Sequence, residues 1–355
     1  MPDLRRRNQK EFGVFLPVAN GGWIISDTTP PLDGLWRQNL AAALAAEEAG
    51  MDFVMSMGKW RGFGGETNHW GSSMESITMM AAIAQATKRV KVWATAHTML
   101  HNPAVTAKMI TTLDHISGGR AGLNIVAGAY REEFAQMGEW DDSLSHDDRY
   151  VLAEEWTTIV KRLWTEPSVD FEGRFFYFKD CASDPKPLSH PRPTVICAGM
   201  SDRGFRFAVR EADACFIGGR SPEEVLDASR RAKAIALELN KTVKTFAMCT
   251  VIHAETDAKA EALVDHYRDG ADMGAIINML RSWGIPPERL SSVAEKQGPF
   301  MTETAVGSPA TCAAKVDHFM TFCELDGLML IFPDYVEGLK VFGSDILPLL
   351  QMAHA

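Results

Sequence analysis

The sequence contains no Cys-x-x-Cys pair, no His-Glu-x-x-His and no comparable ligand spacing among its six cysteines and ten histidines. That gap argues against a metal site. Cys197, Cys215 and Cys249 each stand in an apolar, strand-like run. They read as small buried hydrophobes of a reducing compartment rather than as disulfide partners. An excess of positive charge is also missing: the formal net charge is −10. This disfavours nucleic acid or an anionic membrane as the main partner, while leaving room for one local positive site. No apolar run reaches the ~18 residues of a membrane-spanning helix. The N-terminal "MPDLRRRNQKEFG" is basic but has no apolar stretch behind it, so we expect neither a signal peptide nor an anchor, and a cytoplasmic location. Internal repeats and low-complexity tracts are absent as well.

What is present is a regular alternation. The chain has 355 residues, 46% hydrophobic and 23% charged, enough for a large core. Eight short apolar runs follow one another: Phe12–Val18, "DFVMSM", "VKVWATA", "AGLNIVAG", "TVICAG", "DACFIG", "FAMCTVIHA" and "GLMLIF". Helical periodicities separate them, as in "LWRQNLAAALAAEEAG" and in the long stretch from about Asp147 to Trp164, where Val151, Trp156, Ile159, Val160, Leu163 and Trp164 recur at steps of three and four. Strands alternating with helices imply right-handed parallel units, and eight units close into a TIM barrel. An open doubly wound sheet would announce a Gly-x-Gly-x-x-Gly turn after its first strand, and "ANGGWIIS" is not one. The expected fold is therefore an α/β (β/α)8 barrel forming one domain over residues 1–355. Two insertions interrupt its rhythm. The segment at about 168–193 should be a short hairpin plus an extended strap, and the one at about 270–304 is helical in composition.

In such a barrel the active site lies at the carboxyl ends of the strands. That end collects Asn20, Gly21, Gly22 and Trp23; Gly58, Lys59, Trp60 and Arg61 with Gly62-Phe63-Gly64-Gly65; Thr95 and His97; Asn124; and Gly199 with Ser201. Glycines and aromatics suit a flat ring with polar edges. No nucleophile elbow and no Ser-His-Asp signature occurs, so a cofactor is expected to carry the hard chemistry. Gly199 and Ser201 open a helix, where Ser is a common cap and where a phosphate also binds. Asn124 inside an apolar strand is a buried amide that needs partners. Trp23 suits either the mouth or a lid over the core. His97 and His101 suit either the mouth or a satisfied place in core or loop.

Several stretches together resemble a known family: "GVFLPVANGGWIIS", "SMGKWRGFGGET", "TTLDHISGGRAGLNIVAG", "EEFAQMG", "DDRY" and "VICAGMSDRG". The chain is similar over nearly its whole length to the bacterial-luciferase-like flavin monooxygenases, and "RGFGG" favours the branch that opens the uracil ring. The resemblance implies a TIM barrel that binds reduced FMN (FMNH2) noncovalently, supplied by a separate NAD(P)H-dependent flavin reductase, in a homo-oligomer. Gly58 and Lys59 match a flavin-contacting pair, and Asn124 and Glu133 match positions beside the isoalloxazine ring. Arg149, Tyr150 and Ser201 match phosphate and ribityl contacts. Thr95 with Asn124 would hold O2.

The resemblance further implies a two-component monooxygenase that uses O2 to attack an amide-like carbonyl carbon and break a C–N bond of a uracil-like pyrimidine or related heterocycle. An alternative is a sulfone or sulfonate monooxygenase that breaks a C–S bond, and a non-enzymatic rival is a flavin-storage protein. The sequence departs from the pyrimidine branch at His97 and His101, where small or apolar residues stand. Both would lie by the substrate, where an imidazole could donate or accept a hydrogen bond or pair with an acidic group. The segment from Gly270 to Thr304 differs too.

Overall fold

A computed structural model describes residues 10–127, 130–199, 201–219 and 221–351. The basic stretch before Lys10, and Gly128 at the end of the fourth apolar run, lie outside the described residues. Among the described residues there are eleven strands: β1 Glu11–Phe15, β2 Phe53–Met55, β3 Lys91–His97, β4 Ala121–Val126, β5 Val169–Glu172, β6 Tyr177–Cys181, β7 Thr194–Ala198, β8 Ala214–Phe216, β9 Lys244–His253, β10 Glu303–Gly307 and β11 Gly327–Ile331. Eight of them pair in parallel around a closed ring, β1-β2-β3-β4-β7-β8-β9-β11, with β11 returning to β1. This is the (β/α)8 barrel expected from the alternation, and each of the eight apolar runs contributes one strand.

The two segments that break the rhythm take different forms. β5 and β6 form an antiparallel hairpin. The strap after them is tied to the helix Pro103–Ser117, because Ser189 donates through its N–H and its Oγ to Asp114 (2.8 and 2.7 Å). The second segment holds the helices Met273–Ser282 and Leu290–Gln297, as its composition suggests. It then ends in β10, a strand not anticipated. β10 extends the ring: β9 pairs with β8 and β11 through its first half and with β10 through its second. "ETAVG" has only two strongly apolar residues in a row, too few for a period to register.

Three aromatic rings close the bottom of the barrel. Phe53, Trp93 and Phe246 point inward and stack nearly parallel: Phe53 lies 3.9 Å from Trp93 at 14° and 5.5 Å from Phe246 at 16°. Each stands in register with a glycine of a neighbouring strand, Phe53 with Gly13, Trp93 with Gly122, and Phe246 with Gly327. A Cβ on any of these glycines would overlap the ring opposite. Large and small residues thus alternate around one layer, so the barrel is a packed core rather than a pore. Gly122→Ala is expected to destabilise the fold by about 1–3 kcal/mol through overpacking against Trp93, read as a lower denaturant midpoint. An unchanged midpoint would show that the indole can swing aside.

The long helix His146–Thr165 buries Trp156 and Trp164, two of the residues picked out by its periodicity. Their indole N–H groups donate to His101 O (2.6 Å) and Ala107 O (3.0 Å). The helix thereby anchors the turn that follows β3, at the mouth of the barrel. Cys197, Cys215 and Cys249 are buried, and all six cysteines are free. Burial holds the Cys215 and Cys249 thiols up at about 12, so both stay protonated and inert. No helix among the described residues is long and apolar enough to cross a membrane.

Candidate active site

Above the aromatic floor, inward-facing side chains alternate along each strand, so Thr95 and Asn124 form the next layer up from Trp93 and Gly122. The two are in register, and Asn124 Nδ2 donates to Thr95 Oγ1 at 3.1 Å. The Thr95 hydroxyl proton is committed to Ser56 O (2.5 Å). Thr95 N–H donates to Ser76 Oγ (2.7 Å), which is 2.6 Å from Ser56 Oγ. Since the hydroxyl of Thr95 has no second proton, it can only accept from Asn124, and this sets the amide orientation. Asn124 Oδ1 is then left buried without a partner. An orphaned acceptor of this kind costs about 1–3 kcal/mol. Ser56 and Ser76, which fix the arrangement, carried no sequence signal: serines near strand and helix ends are common.

The third layer is the mouth. Glu133, 4% exposed, is a hub. One oxygen accepts the backbone N–H groups of Trp60 (2.5 Å) and Arg61 (3.2 Å), and the other pairs with Lys59 Nζ at 3.1 Å. The Lys59 ammonium lies 4.7 Å from the Phe63 ring, 5.0 Å from Tyr130 and 5.9 Å from Trp70. Burial in this aromatic cage lowers its pKa, and the Glu133 charge opposes that fall. Gly58 precedes the hub, beside Thr95 and His97.

Trp23 is buried as a wall, its ring 3.9 Å from Phe15 at a 34° tilt and edge-on to Trp70, and its indole N–H donates to Leu16 O. His97, also buried, ends β3 on the same face as Thr95. Burial, with smaller effects from His101 and Lys59, pushes its pKa down to about 3. The ring is neutral at ordinary pH, so it offers an acidic substrate no counter-charge. His101 sits one turn on, with Nδ1 3.0 Å from His97 O.

The loop "RGFGG" is held from outside the barrel proper. Gly64 and Gly65 both have left-handed φ, +69° and +77°. A side chain at Gly65 would also overlap the Asp272 carboxylate. Asp272 accepts from Thr67 N and Thr67 Oγ1 (both 2.8 Å) and caps the helix Met273–Ser282 through Ala275 N. Asn278 Nδ2 donates to Phe63 O at 2.8 Å. The segment after Gly270 is thus a clamp on the mouth loop, and nothing local in either stretch announced it.

On the opposite rim, Ser201 caps the helix Asp202–Glu211 by accepting from Gly204 N at 3.1 Å. Its Oγ also meets His146 Nε2 at 3.3 Å. The Tyr150 hydroxyl and Ser201 Oγ both border Gly204, and the Tyr150 ring packs 5.0 Å from the His146 ring. Ser201 and Tyr150 therefore come together. The Arg149 guanidinium points elsewhere: it lies 4.9 Å from the Trp140 ring and donates to Leu144 O at 3.0 Å. Its influence on Tyr150 is electrostatic only. His146 takes the place beside Ser201 instead. Helical spacing carried a clue to this, since positions four apart share a face and His146 is four residues before Tyr150.

Among the described residues no group of three or more His, Cys, Asp or Glu could hold a metal ion. A closed parallel barrel with an aromatic mouth, a buried orphan acceptor and an anion-ready helix start defines a TIM-barrel enzyme that works through an organic cofactor. The chain belongs to the luciferase-like monooxygenase family, whose profile matches residues 10–321. It is 36% identical over 353 residues to pyrimidine monooxygenase RutA of Caulobacter vibrioides, with 96% of this chain and 98% of the relative covered. It is also 36% identical over 349 residues to pyrimidine monooxygenase RutA of Stutzerimonas stutzeri, with 96% of both covered. Among solved structures, riboflavin lyase with modified FMN and riboflavin superposes with a TM-score of 0.84 at 20% identity, over 97% of this chain and 91% of that one. DmoA from Hyphomicrobium sulfonivorans follows at 0.83 and 18% identity, over 96% and 88%. At such identities these two speak to the fold. The protein is thus a flavin monooxygenase, an oxidoreductase acting with O2 on a small molecule.

Proposed function

We propose that the protein is an FMN-dependent monooxygenase that opens a C–N amide bond of a uracil-like heterocycle, with reduced FMN delivered by a separate NAD(P)H-dependent reductase. The observation that carries this reading is the buried, unpartnered Asn124 Oδ1 beside Thr95 at the carboxyl ends of β3 and β4. An acceptor held without a partner in the protein fits a ring N–H of a bound flavin or substrate. The likeness to two pyrimidine monooxygenases over nearly the full chain supports the substrate class.

Ser201, Tyr150 and the first N–H groups of the helix Asp202–Glu211 fit the phosphate end, and Arg149 supplies positive charge nearby. Gly58, Lys59, Asn124 and Glu133 would hold the ring end. When bound, reduced flavin supplies the electrons that let O2 act as an oxidant. Thr95 and Asn124 would place O2. The Lys59–Glu133 pair, with Phe63, Tyr130 and Trp70 around it, excludes water from the mouth, and Trp23, His97 and His101 would flank the substrate.

Incubation with reduced FMN, labelled O2 and uracil is expected to yield ring-opened product carrying the label, read by mass spectrometry. Uracil left intact while reduced FMN is consumed would overturn the substrate assignment.

A further inference from the structure

We propose that His97 is a fixed hydrogen-bond donor, presenting Nε2–H to an acceptor oxygen of the substrate, and that Trp60 is the positioning residue that sets its tautomer. This rests on the reading of the mouth as the oxygenation site. Both residues stand in it, yet the holding of flavin and O2 uses neither.

Three observations converge. First, Trp60 Nε1 lies 3.3 Å from His97 Nδ1 in hydrogen-bonding geometry. An indole N–H is a donor only, so Nδ1 must offer its lone pair, and a neutral imidazole then carries its single proton on Nε2. Second, nothing nearby favours an imidazolium. The charged and titratable groups around the ring are Lys59 and His101, which both oppose positive charge, and Glu133 is spent on Lys59 and on two backbone N–H groups. The ring of Phe134 packs edge-on at 5.3 Å and adds no charge. Third, Gly58 makes room for the imidazole. A Cβ at residue 58 would stand 2.8 Å from His97 Cε1 and 3.5 Å from Thr95 Cγ2. Gly58 is not among the residues with left-handed φ. Its backbone therefore does not demand glycine, whereas the imidazole does. The ring fills the space that a side chain at 58 would take, in the layer directly above Thr95.

A neutral N–H selects a chemical class. It suits an uncharged ring bearing a carbonyl, or a like acceptor oxygen, beside the bond to be broken. As that carbonyl carbon is attacked, charge gathers on the oxygen, and a preorganised donor strengthens its hold without giving up the proton. Trp60 makes the donor permanent: without it, the proton could move to Nδ1 and leave a lone pair facing the substrate.

The first test needs no turnover. In protein with 15N-labelled histidine and bound oxidised FMN, the His97 signals should show a protonated Nε2 and a bare Nδ1, unchanged over about pH 5–8. A His97 that titrates in that window, or carries its proton on Nδ1, overturns the proposal. Trp60→Phe should blur the tautomer and lower kcat by about tenfold, the effect of one hydrogen bond. His97→Ala should lower kcat by about 10²-fold and weaken uracil binding, with FMN affinity within twofold. His97→Asn, which keeps an N–H, should recover part of the loss. Gly58→Ala should lower Tm, and adding His97→Ala should restore part of it, a non-additive pair. Full turnover by His97→Ala would remove the donor role. If the NMR and Tm results hold while uracil is neither bound nor turned over, the assigned function fails and the fixed donor stands.

Discussion

Asn124→Ala is expected to lower oxygenation by about 10²–10³-fold while leaving the barrel as stable as before. The two halves of that result have one cause. Asn124 donates to Thr95 and leaves Oδ1 buried without a partner. Truncation removes one hydrogen bond worth about 1 kcal/mol, but it also removes an orphaned acceptor whose burial costs about 1–3 kcal/mol. The stability terms offset each other, and what is lost is the group that would meet the cofactor or O2. Most mutations at buried sites lose stability; this one should lose activity alone. Thermal unfolding and steady-state turnover check the two halves separately. Unchanged turnover would take Asn124 out of the mechanism. A collapse in stability would show that the amide serves the fold.

Glu133→Ala should behave in the opposite way, with a large loss of stability of about 3–5 kcal/mol. Glu133 and Lys59 are a buried pair whose side chains are 5% and 8% exposed. Removing the carboxylate leaves the ammonium unpaired in its aromatic cage and orphans the N–H groups of Trp60 and Arg61. The loss should depend on pH with a definite sign. Burial already places the Lys59 pKa below its ordinary value, and without Glu133 it falls further. Between that lowered value and the ordinary one, the unfolded chain binds more protons, so stability rises with pH across the window. The deficit of the variant is therefore largest at low pH and shrinks as pH rises through the new Lys59 pKa. Denaturant midpoints across that range measure it. A pH-independent deficit would mean that lost packing, not the stranded charge, is responsible.

These two residues also mark how far the sequence could be read. Asn124 stood out because an amide in an apolar run breaks a local pattern, and the structure sets it beside Thr95. Glu133 was assigned through resemblance, and its surroundings were not visible. Each of its partners comes from the β2 loop, more than seventy residues back, and such pairings leave no trace in periodicity. The anion rim divides in the same way. Ser201 as a helix cap is local chemistry and was legible, whereas the Arg149 guanidinium turning to Trp140 while His146 meets Ser201 depends on how a loop and two helices meet.

By itself, the sequence determined the alternation of strands and helices, the barrel it closes into, the family, and the rim on which polar residues gather. Those follow from signals a few residues long: apolar runs, helical periods, caps and turn glycines. Only the tertiary structure decided which glycine faces which aromatic ring in the floor, that Asp272, more than two hundred residues on, clamps "RGFGG", that "ETAVG" becomes a ninth parallel strand, and that the Trp60 indole meets His97 Nδ1. Each of these depends on groups distant in sequence brought within a few ångströms and cut off from water, where steric overlap and desolvation act, and no short stretch of chain encodes them.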